Sequence, residues 1–435
     1  MAILQQVIFL VVLGIAGFFV RRRVMAIRRN IRLGKQLAIV DHKGERLKNM
    51  LLVALGQKKM FKRLIPATLH FFIYAGFLII NLEVLEFIID GLSGTHRIFA
   101  PYLGGFYNAL MNLFEFLAVA VLLSCIVFLI RRNALKVPRF WSAEMTRWPR
   151  LDANLILTIE IVLMAAILTM NASDQILQTQ NSHYTPTGHL FFSSFLIPAL
   201  QHINIATLEL LERSAWWFHI VGILGFAVYI TYSKHLHIFM AFVNTYYAKL
   251  EAKGHINNMP VVTREAKSML GLTQPETTSP AEPGRFGAKD INDLSWNNLV
   301  AAYACTECGR CTSECPANLT GKKLSPRKIM MDVRDRMEEV GNSLEKGGPG
   351  LNDGKSLLGD YITKEEINAC TSCNACVEAC PVMINPLEII LEVRRYVSME
   401  ESGAPAQWNS MFQNIETSFA PWKFSPADRF NWSKE

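Results

Sequence analysis

Eight of the nine cysteines stand in two runs, Cys305-Thr-Glu-Cys308-Gly-Arg-Cys311-Thr-Ser-Glu-Cys315-Pro316 and Cys370-Thr-Ser-Cys373-Asn-Ala-Cys376-Val-Glu-Ala-Cys380-Pro381. Three thiolates two residues apart can sit on one tight loop and hold three irons of a cubane cluster. The fourth cysteine, turned away by the proline after it, reaches the neighbouring cluster. The spacing therefore assigns Cys305, Cys308, Cys311 and Cys380 to one [4Fe-4S] cluster, and Cys370, Cys373, Cys376 and Cys315 to another. Zinc would need four ligands, not eight, and has no use for a third cysteine at this spacing with a trailing Cys-Pro. Secreted disulfides fit worse, because cysteines two residues apart in a long chain read as metal ligands. The chemistry is one-electron transfer.

Histidines in apolar segments offer a second redox site. His70 lies near the start of one such segment, and His219 and His237 lie in another. On one continuous helix their 18-residue separation is five full turns, so His219 and His237 would share a face about 27 Å apart. His70 and His237 fall at similar depth, and two imidazoles facing across a bundle can bind haem iron axially. Intramembrane ionisable residues are functional candidates by default. His235, 16 residues from His219, points to nearly the opposite face of the same helix and reads as a membrane-interface residue. A partner for His219 would have to come from His96, His189 or His202 in the outer loops, or else His219 serves a quinone.

The elements that position these groups follow from composition. The 435 residues are 51% hydrophobic, too apolar for a wholly soluble protein. Apolar stretches at 3–20, 65–89, 107–130, 152–170 and 215–238 are each near the roughly 20 residues that cross a bilayer, which predicts five spans. The first lacks a basic leader and a cleavage site, so it reads as an uncleaved anchor. Residues 21–63 carry 14 Lys or Arg and residues 131–150 carry six, whereas the loops at 91–104 and 171–213 carry one each, Arg97 and Arg213. The positive-inside rule then puts the N-terminus outside and the cysteine runs in the cytoplasm, at an inner membrane. The net charge of +7 reflects this topology and attraction to anionic lipid, and calls for no nucleic acid.

After span five the helix is expected to continue through Leu250 and give way to a polar linker at 274–284. A serine cap at Ser325 with Pro326, and the pair Asn385-Pro386, open helices in a second folded unit. Without strand-like alternation the fold class is all-α: a transmembrane haem b bundle (1–243), a helix extension and linker (244–289), a helical 2[4Fe-4S] ferredoxin unit (290–402) and a tail (403–435). The tail holds Trp408, Phe412, Phe419, Trp422, Phe424, Phe430 and Trp432 with little periodicity. It is either a strap over its own domain or a docking surface for a partner.

The five spans, with Phe218-His219 and Tyr232-Ser233-Lys234-His235-Leu236-His237-Ile238, resemble the haem b membrane subunit of respiratory nitrate reductases. That resemblance implies a haem between His70 and His237 on the cytoplasmic side and an outer haem at His219. Ile80 stands where the family has a second histidine on span two, a departure from the pattern at the outer haem. The C-terminal third, including Trp296 to Tyr303 and Ala304-Cys305-Thr-Glu-Cys308-Gly-Arg-Cys311, resembles the iron–sulfur domains of heterodisulfide reductase-like, anaerobic glycerol-3-phosphate dehydrogenase-like and electron-transfer flavoprotein:menaquinone oxidoreductase-like proteins. Relatives of this type carry CCG modules or contact an electron-transfer flavoprotein. This chain has no adjacent Cys-Cys pair, no Gly-x-Gly-x-x-Gly run after a strand and no nucleophile–base constellation. The expected role is a respiratory relay between a CCG-type or flavoprotein partner, two cubanes, haem b and menaquinone or another quinone, with substrate chemistry on the partner. The alternative is a membrane-anchored iron–sulfur scaffold or redox sensor without turnover.

Overall fold

The computed structural model describes residues 2–181, 184–272, 285–347, 353–423 and 425–434. The expected linker at 274–284, Gly348 to Gly350 and Phe424 lie outside the described residues. Among those described there is no strand, and two isolated bridges are the closest approach to one.

Five helices are long and apolar enough to cross a membrane: α1 (Ala2–Ile31), α2 (Leu64–Ser93), α3 (Gly105–Leu129), α4 (Arg147–Leu177) and α5 (Ile205–Ile230). Each packs on its chain neighbours, and α1 also lies against α5, so the bundle closes into a ring. Its core interdigitates Phe9 of α1, Phe87 of α2, Met111 and Phe114 of α3, Met170 of α4, and Trp216 and Ile220 of α5. Helix α2 stops at Gly94, whose φ of 74° and N–H bond to the Asp90 carbonyl make a left-handed C-terminal cap.

Span five departs from the sequence expectation at both ends. It begins at Ile205, through a charged first half that hydropathy discounts, and it stops at Ile230 instead of reaching 238. The chain then turns at Thr231 to Ser233, makes one 3-10 turn (Lys234–Leu236) and restarts as α6 (His237–Tyr246). The break is enforced from outside the helix. Asp152 of α4 accepts the Lys234 N–H at 3.2 Å, and the Ser233 hydroxyl caps the His235 N–H at 3.0 Å. His219 and His237 therefore do not share one helix, and the five-turn ladder argument falls. Nor does α6 run on to Leu250, because Arg46 takes the Tyr246 and Ala248 carbonyls and Tyr247 packs edge-on against Trp296.

The C-terminal unit is built on α7 (Trp296–Ala304), α8 (Pro326–Gly347) and α9 (Pro386–Met399), with short turns carrying the cysteines. Its core is continuous with the bundle's end, since Ile27, Leu236 and Met240 are buried together with Leu299, Ile329, Val333, Ile389 and Val393. The segment after α1 pairs with it through Lys35 N–H to Leu294 O (2.7 Å) and Trp296 N–H to Lys35 O (3.1 Å). The basic loops face this unit. Arg63 reaches Glu314 at 2.8 Å, and the fully buried Arg327 bonds Glu144 at 2.7 Å and the Arg139 carbonyl at 2.6 Å.

Beyond α9 the tail forms α10 (Ala406–Ser418), in which no residue is buried. Trp408, Phe412, Ile415 and Phe419 recur at helical spacing and stay exposed. The tail thus has a periodicity that its composition hides, and its described aromatics are exposed rather than strapped onto its own domain.

Candidate redox centre

The two cysteine runs fold as one motif used twice. In each, the second residue after the first cysteine and the residue after the second cysteine are left-handed: Glu307 (φ 55°) and Gly309 (72°) in the first run, Ser372 (56°) and Asn374 (62°) in the second. Alternating handedness curls the backbone so that its N–H groups point inward, the concave arrangement that favours anions. Gly309 has a further reason to lack a side chain, because a Cβ there would stand 2.5 Å from the Arg327 guanidinium.

Two cavities lie under these loops. One is lined by Cys305, Cys308, Cys311 and Cys380, the other by Cys315, Cys370, Cys373 and Cys376. In each, the fourth thiol comes from the opposite run, delivered by Pro316 or Pro381. Among the described residues no three His, Cys, Asp or Glu side chains converge on a single ion. Around a tetrahedral zinc, with bonds near 2.3 Å, sulfurs crowd to about 4 Å. Thiols splayed around a cavity suit a larger inorganic core. Burial pushes Cys305 and Cys376 up to about 12 and Cys380 to about 11, so the anionic ligand form calls for a cationic core beside it. The Ser372 N–H lies 3.4 Å from Cys370 Sγ and the Ile384 N–H 3.3 Å from Cys380 Sγ, contacts of the kind that tune cluster potential.

The imidazoles gather where α2, the 231–236 turn and α6 meet. His70 and His237 have ring centroids 6.4 Å apart at 44°. Two imidazoles bound to one iron through bonds of about 2 Å place their centroids about 6 Å apart. His70 Nδ1 bonds Gln57 Oε1 at 3.2 Å and His237 Nδ1 bonds the Lys234 carbonyl at 3.1 Å, which fixes both tautomers and leaves each Nε2 for a metal. The pair fits haem. His235 is not the isolated interface residue its helical position implied. The break in span five turns it inward, half-buried, 5.4 Å from His237 and 5.5 Å from Phe226.

His219 is buried with Nδ1 bonded to the Leu163 carbonyl at 3.0 Å and its ring against Phe87. Among the described residues no second imidazole packs on it. His96 is held by Asp174 and Tyr184, His189 and His202 are exposed, and Ile80 is buried in the bundle core. Among the described residues a second bis-histidine site is therefore not assembled.

Sequence reasoning missed the charges that connect and surround these sites. Lys234 is paired with Glu307, the residue just before Cys308, and Glu307 also takes Arg334. Asp152 holds the Tyr229 hydroxyl and the Lys234 N–H. Arg310, next to Cys311, is near enough for its charge to act on His70. At the bundle's other end Arg97 is buried among Glu83, Asn171 and Asp174, with Glu86, Asp90 and Glu115 close by. The acidic residues at 83, 86 and 90, on one helical face of an otherwise apolar span, were the available signal.

The fold and thiol cavities define an iron–sulfur protein with a membrane-type helical bundle, and the comparisons agree. Residues 304–384 match the 4Fe-4S dicluster domain family. The chain is similar to a probable iron-sulfur-binding oxidoreductase FadF of Bacillus subtilis, 26% identical over all of this chain and 61% of that protein. It is also similar to an EtfAB:quinone oxidoreductase of Syntrophomonas wolfei, 25% identical over 91% of this chain and 55% of that protein. A probable membrane-anchored ferredoxin of Chromohalobacter salexigens is 32% identical over 34% of this chain and 24% of its own length. One component of a dihydromethanophenazine:CoB--CoM heterodisulfide reductase from Methanosarcina mazei is 27% identical over 33% of this chain and 35% of its own length. The chain spans about six-tenths of the length of the first two relatives. No solved structure matches. The chain is thus a mostly helical iron–sulfur electron-transfer protein with five candidate membrane helices.

Proposed function

We propose that this chain is the membrane electron-transfer subunit of a quinone-linked respiratory oxidoreductase. It relays electrons between a CCG-type or flavoprotein partner, two [4Fe-4S] clusters, haem b and menaquinone or another quinone. Cys305, Cys308, Cys311 and Cys380 hold one cluster, and Cys370, Cys373, Cys376 and Cys315 the other. His70 and His237 hold the haem. His219, with no partner imidazole among the described residues, is a packed core residue or a quinone contact. The bundle (1–243), helix and linker (244–289), ferredoxin unit (290–402) and tail (403–435) act in series, with the N-terminus outside and the ferredoxin unit at the cytoplasmic face.

The observation that carries this reading is the juxtaposition of two four-thiol cavities with the paired imidazoles at one end of an apolar bundle. When bound, clusters and haem supply one-electron carriers that bridge two-electron donors and acceptors. The chain's own residues do the rest. The left-handed turns aim N–H groups at the thiols, Gln57 and the Lys234 carbonyl orient the imidazoles, and the Lys234–Glu307 pair locks the first cysteine loop to the turn beside His237. The relatives named for quinone and heterodisulfide chemistry support quinone and CCG-type partners.

Reduced-minus-oxidised spectra of the purified full chain test the proposal. Dithionite is expected to bleach the broad iron–sulfur absorbance and raise a sharp haem b band. Iron–sulfur bleaching without that band would sink the relay and leave the scaffold or sensor reading.

A further inference from the structure

A cavity of about 1,070 Å³ opens between the bundle and the C-terminal unit, and neither the cysteine loops nor the imidazoles account for it. Ligand pockets run from roughly 300 to 1,000 Å³, so this one has room for a ring system and the start of a chain. Its lining changes character along its length. At the bundle's edge stand Trp148, in the first turn of α4, and Tyr232, just past the end of α5, exposed by 53% and 54%. Large aromatics at the ends of spanning helices belong at the membrane–water boundary. Further in, the wall is Asp152, Lys234, Leu236 and Glu307. That wall touches both redox sites: Glu307 lies between Cys305 and Cys308, and the Lys234 carbonyl holds His237.

We propose that this cleft binds the ring of a membrane quinone, with its isoprenoid chain leaving past Trp148 and Tyr232 into the bilayer. The inference rests on the quinone-linked function proposed above and gives it a place. An amphipathic two-electron acceptor needs an opening at the bilayer edge, polar groups for its carbonyl oxygens, an electron carrier against the wall and a source of protons. The cleft supplies the first three as described, and for the fourth the Asp152 carboxylate relays protons taken up from the aqueous side of the cleft. Tyr229 donates its hydroxyl hydrogen to Asp152 Oδ1, and Asp152 Oδ2 accepts from the Lys234 backbone. Reduction of the quinone takes two electrons, one at a time from the reduced clusters or haem, and two protons. The protons enter from the aqueous side of the cleft, which is lined with charged side chains including Lys328 and Glu366. The electrons originate on the reduced flavoprotein or CCG-type donor, which is oxidised by two. Lys234, already paired with Glu307, orients a carbonyl oxygen without having to change its charge.

Two measurements on the full chain in lipid nanodiscs test this. A photoreactive azido-naphthoquinone is irradiated with the protein and labelled peptides are mapped. Label is expected in 147–152 and 229–236, and competition by unlabelled menaquinone removes it. Label confined to the far end of the bundle, around His219 and Glu83, would overturn the placement. In the second, dithionite-reduced protein freed of excess reductant is mixed with a short-chain naphthoquinone and cluster reoxidation is followed by stopped flow. Asp152→Asn is expected to slow reoxidation at least tenfold while iron content and the reduced spectrum stay as in the wild type. An unchanged rate in Asp152→Asn would overturn the role of that carboxylate. Wild-type protein that no quinone reoxidises would instead remove the quinone-linked reading itself, a result the labelling map cannot mimic.

Discussion

Removing Cys315 should destroy the cluster of the other run, and pairs of substitutions make that outcome unambiguous. Each cavity is lined by four thiols, three from one run and one from the other. A loaded chain should therefore carry about eight irons and eight acid-labile sulfides. Cys315→Ser alone lowers both to about four, which crossed and local ligation predict equally. The second substitution separates them. With crossed ligation, Cys315→Ser with Cys370→Ser strikes one cluster twice and leaves about four irons, whereas Cys315→Ser with Cys305→Ser strikes both and leaves close to none. Local ligation reverses the two results. The mirror pairs built on Cys380 give an independent reading: about four irons with Cys305→Ser, close to none with Cys370→Ser. Iron and sulfide per chain, quantified against amino-acid analysis, are the assay. About four irons in the Cys305/Cys315 double variant would refute the crossed arrangement and the structural role given to Pro316.

His70→Ala and His237→Ala should each abolish one and the same haem b band, whereas His235→Ala should shift it without removing it, because no bond fixes the His235 ring; loss of the band in His235→Ala alone would reverse the ligand assignment. Arg327→Met strands Glu144 at the junction of bundle and C-terminal unit, so it should cost about 3–5 kcal/mol, read as a lower urea midpoint by iron–sulfur absorbance; a change below about 1 kcal/mol would mean that the ion pair is not what holds the junction. Deleting 403–435 should leave clusters and haem reducible by dithionite yet uncouple them from the physiological donor, since the α10 stripe is exposed rather than packed; undiminished donor-to-quinone turnover would exclude the tail as a docking element.

The cysteine pattern was readable because its geometry is local: residues two apart share a loop, and Cys-Pro redirects the fourth thiol whatever surrounds it. The five spans were readable because hydrocarbon sets a length and excludes charge. The end of span five was not. Thr231-Tyr-Ser-Lys234 contains neither glycine nor proline, and the helix stops because Asp152, about eighty positions earlier, captures the Lys234 N–H. The inferences that assumed one continuous helix failed with it: the shared helical face of His219 and His237 and the outward placement of His235. The His70–His237 pairing depended only on their similar depth, which the break preserved. The buried charges around Arg97 were obscured for the opposite reason, since averaging over a span hides three acids in thirty residues.

The shared core between Ile27, Leu236, Met240 and the helices that carry the cysteines has a consequence for how the protein is made. Asn30, near the end of α1, donates to Tyr303 at 3.0 Å and abuts Gly341, where even a methyl group would come within 2.0 Å. The cysteine unit cannot complete its interior until α1, the 234–236 turn and α6 pack against it. Loading of the thiol cavities is therefore expected to follow the packing of α1 and α6 against this unit. A soluble fragment beginning near residue 290 would lack Ile27, Leu236 and Met240 from its interior and would expose apolar surface in their place.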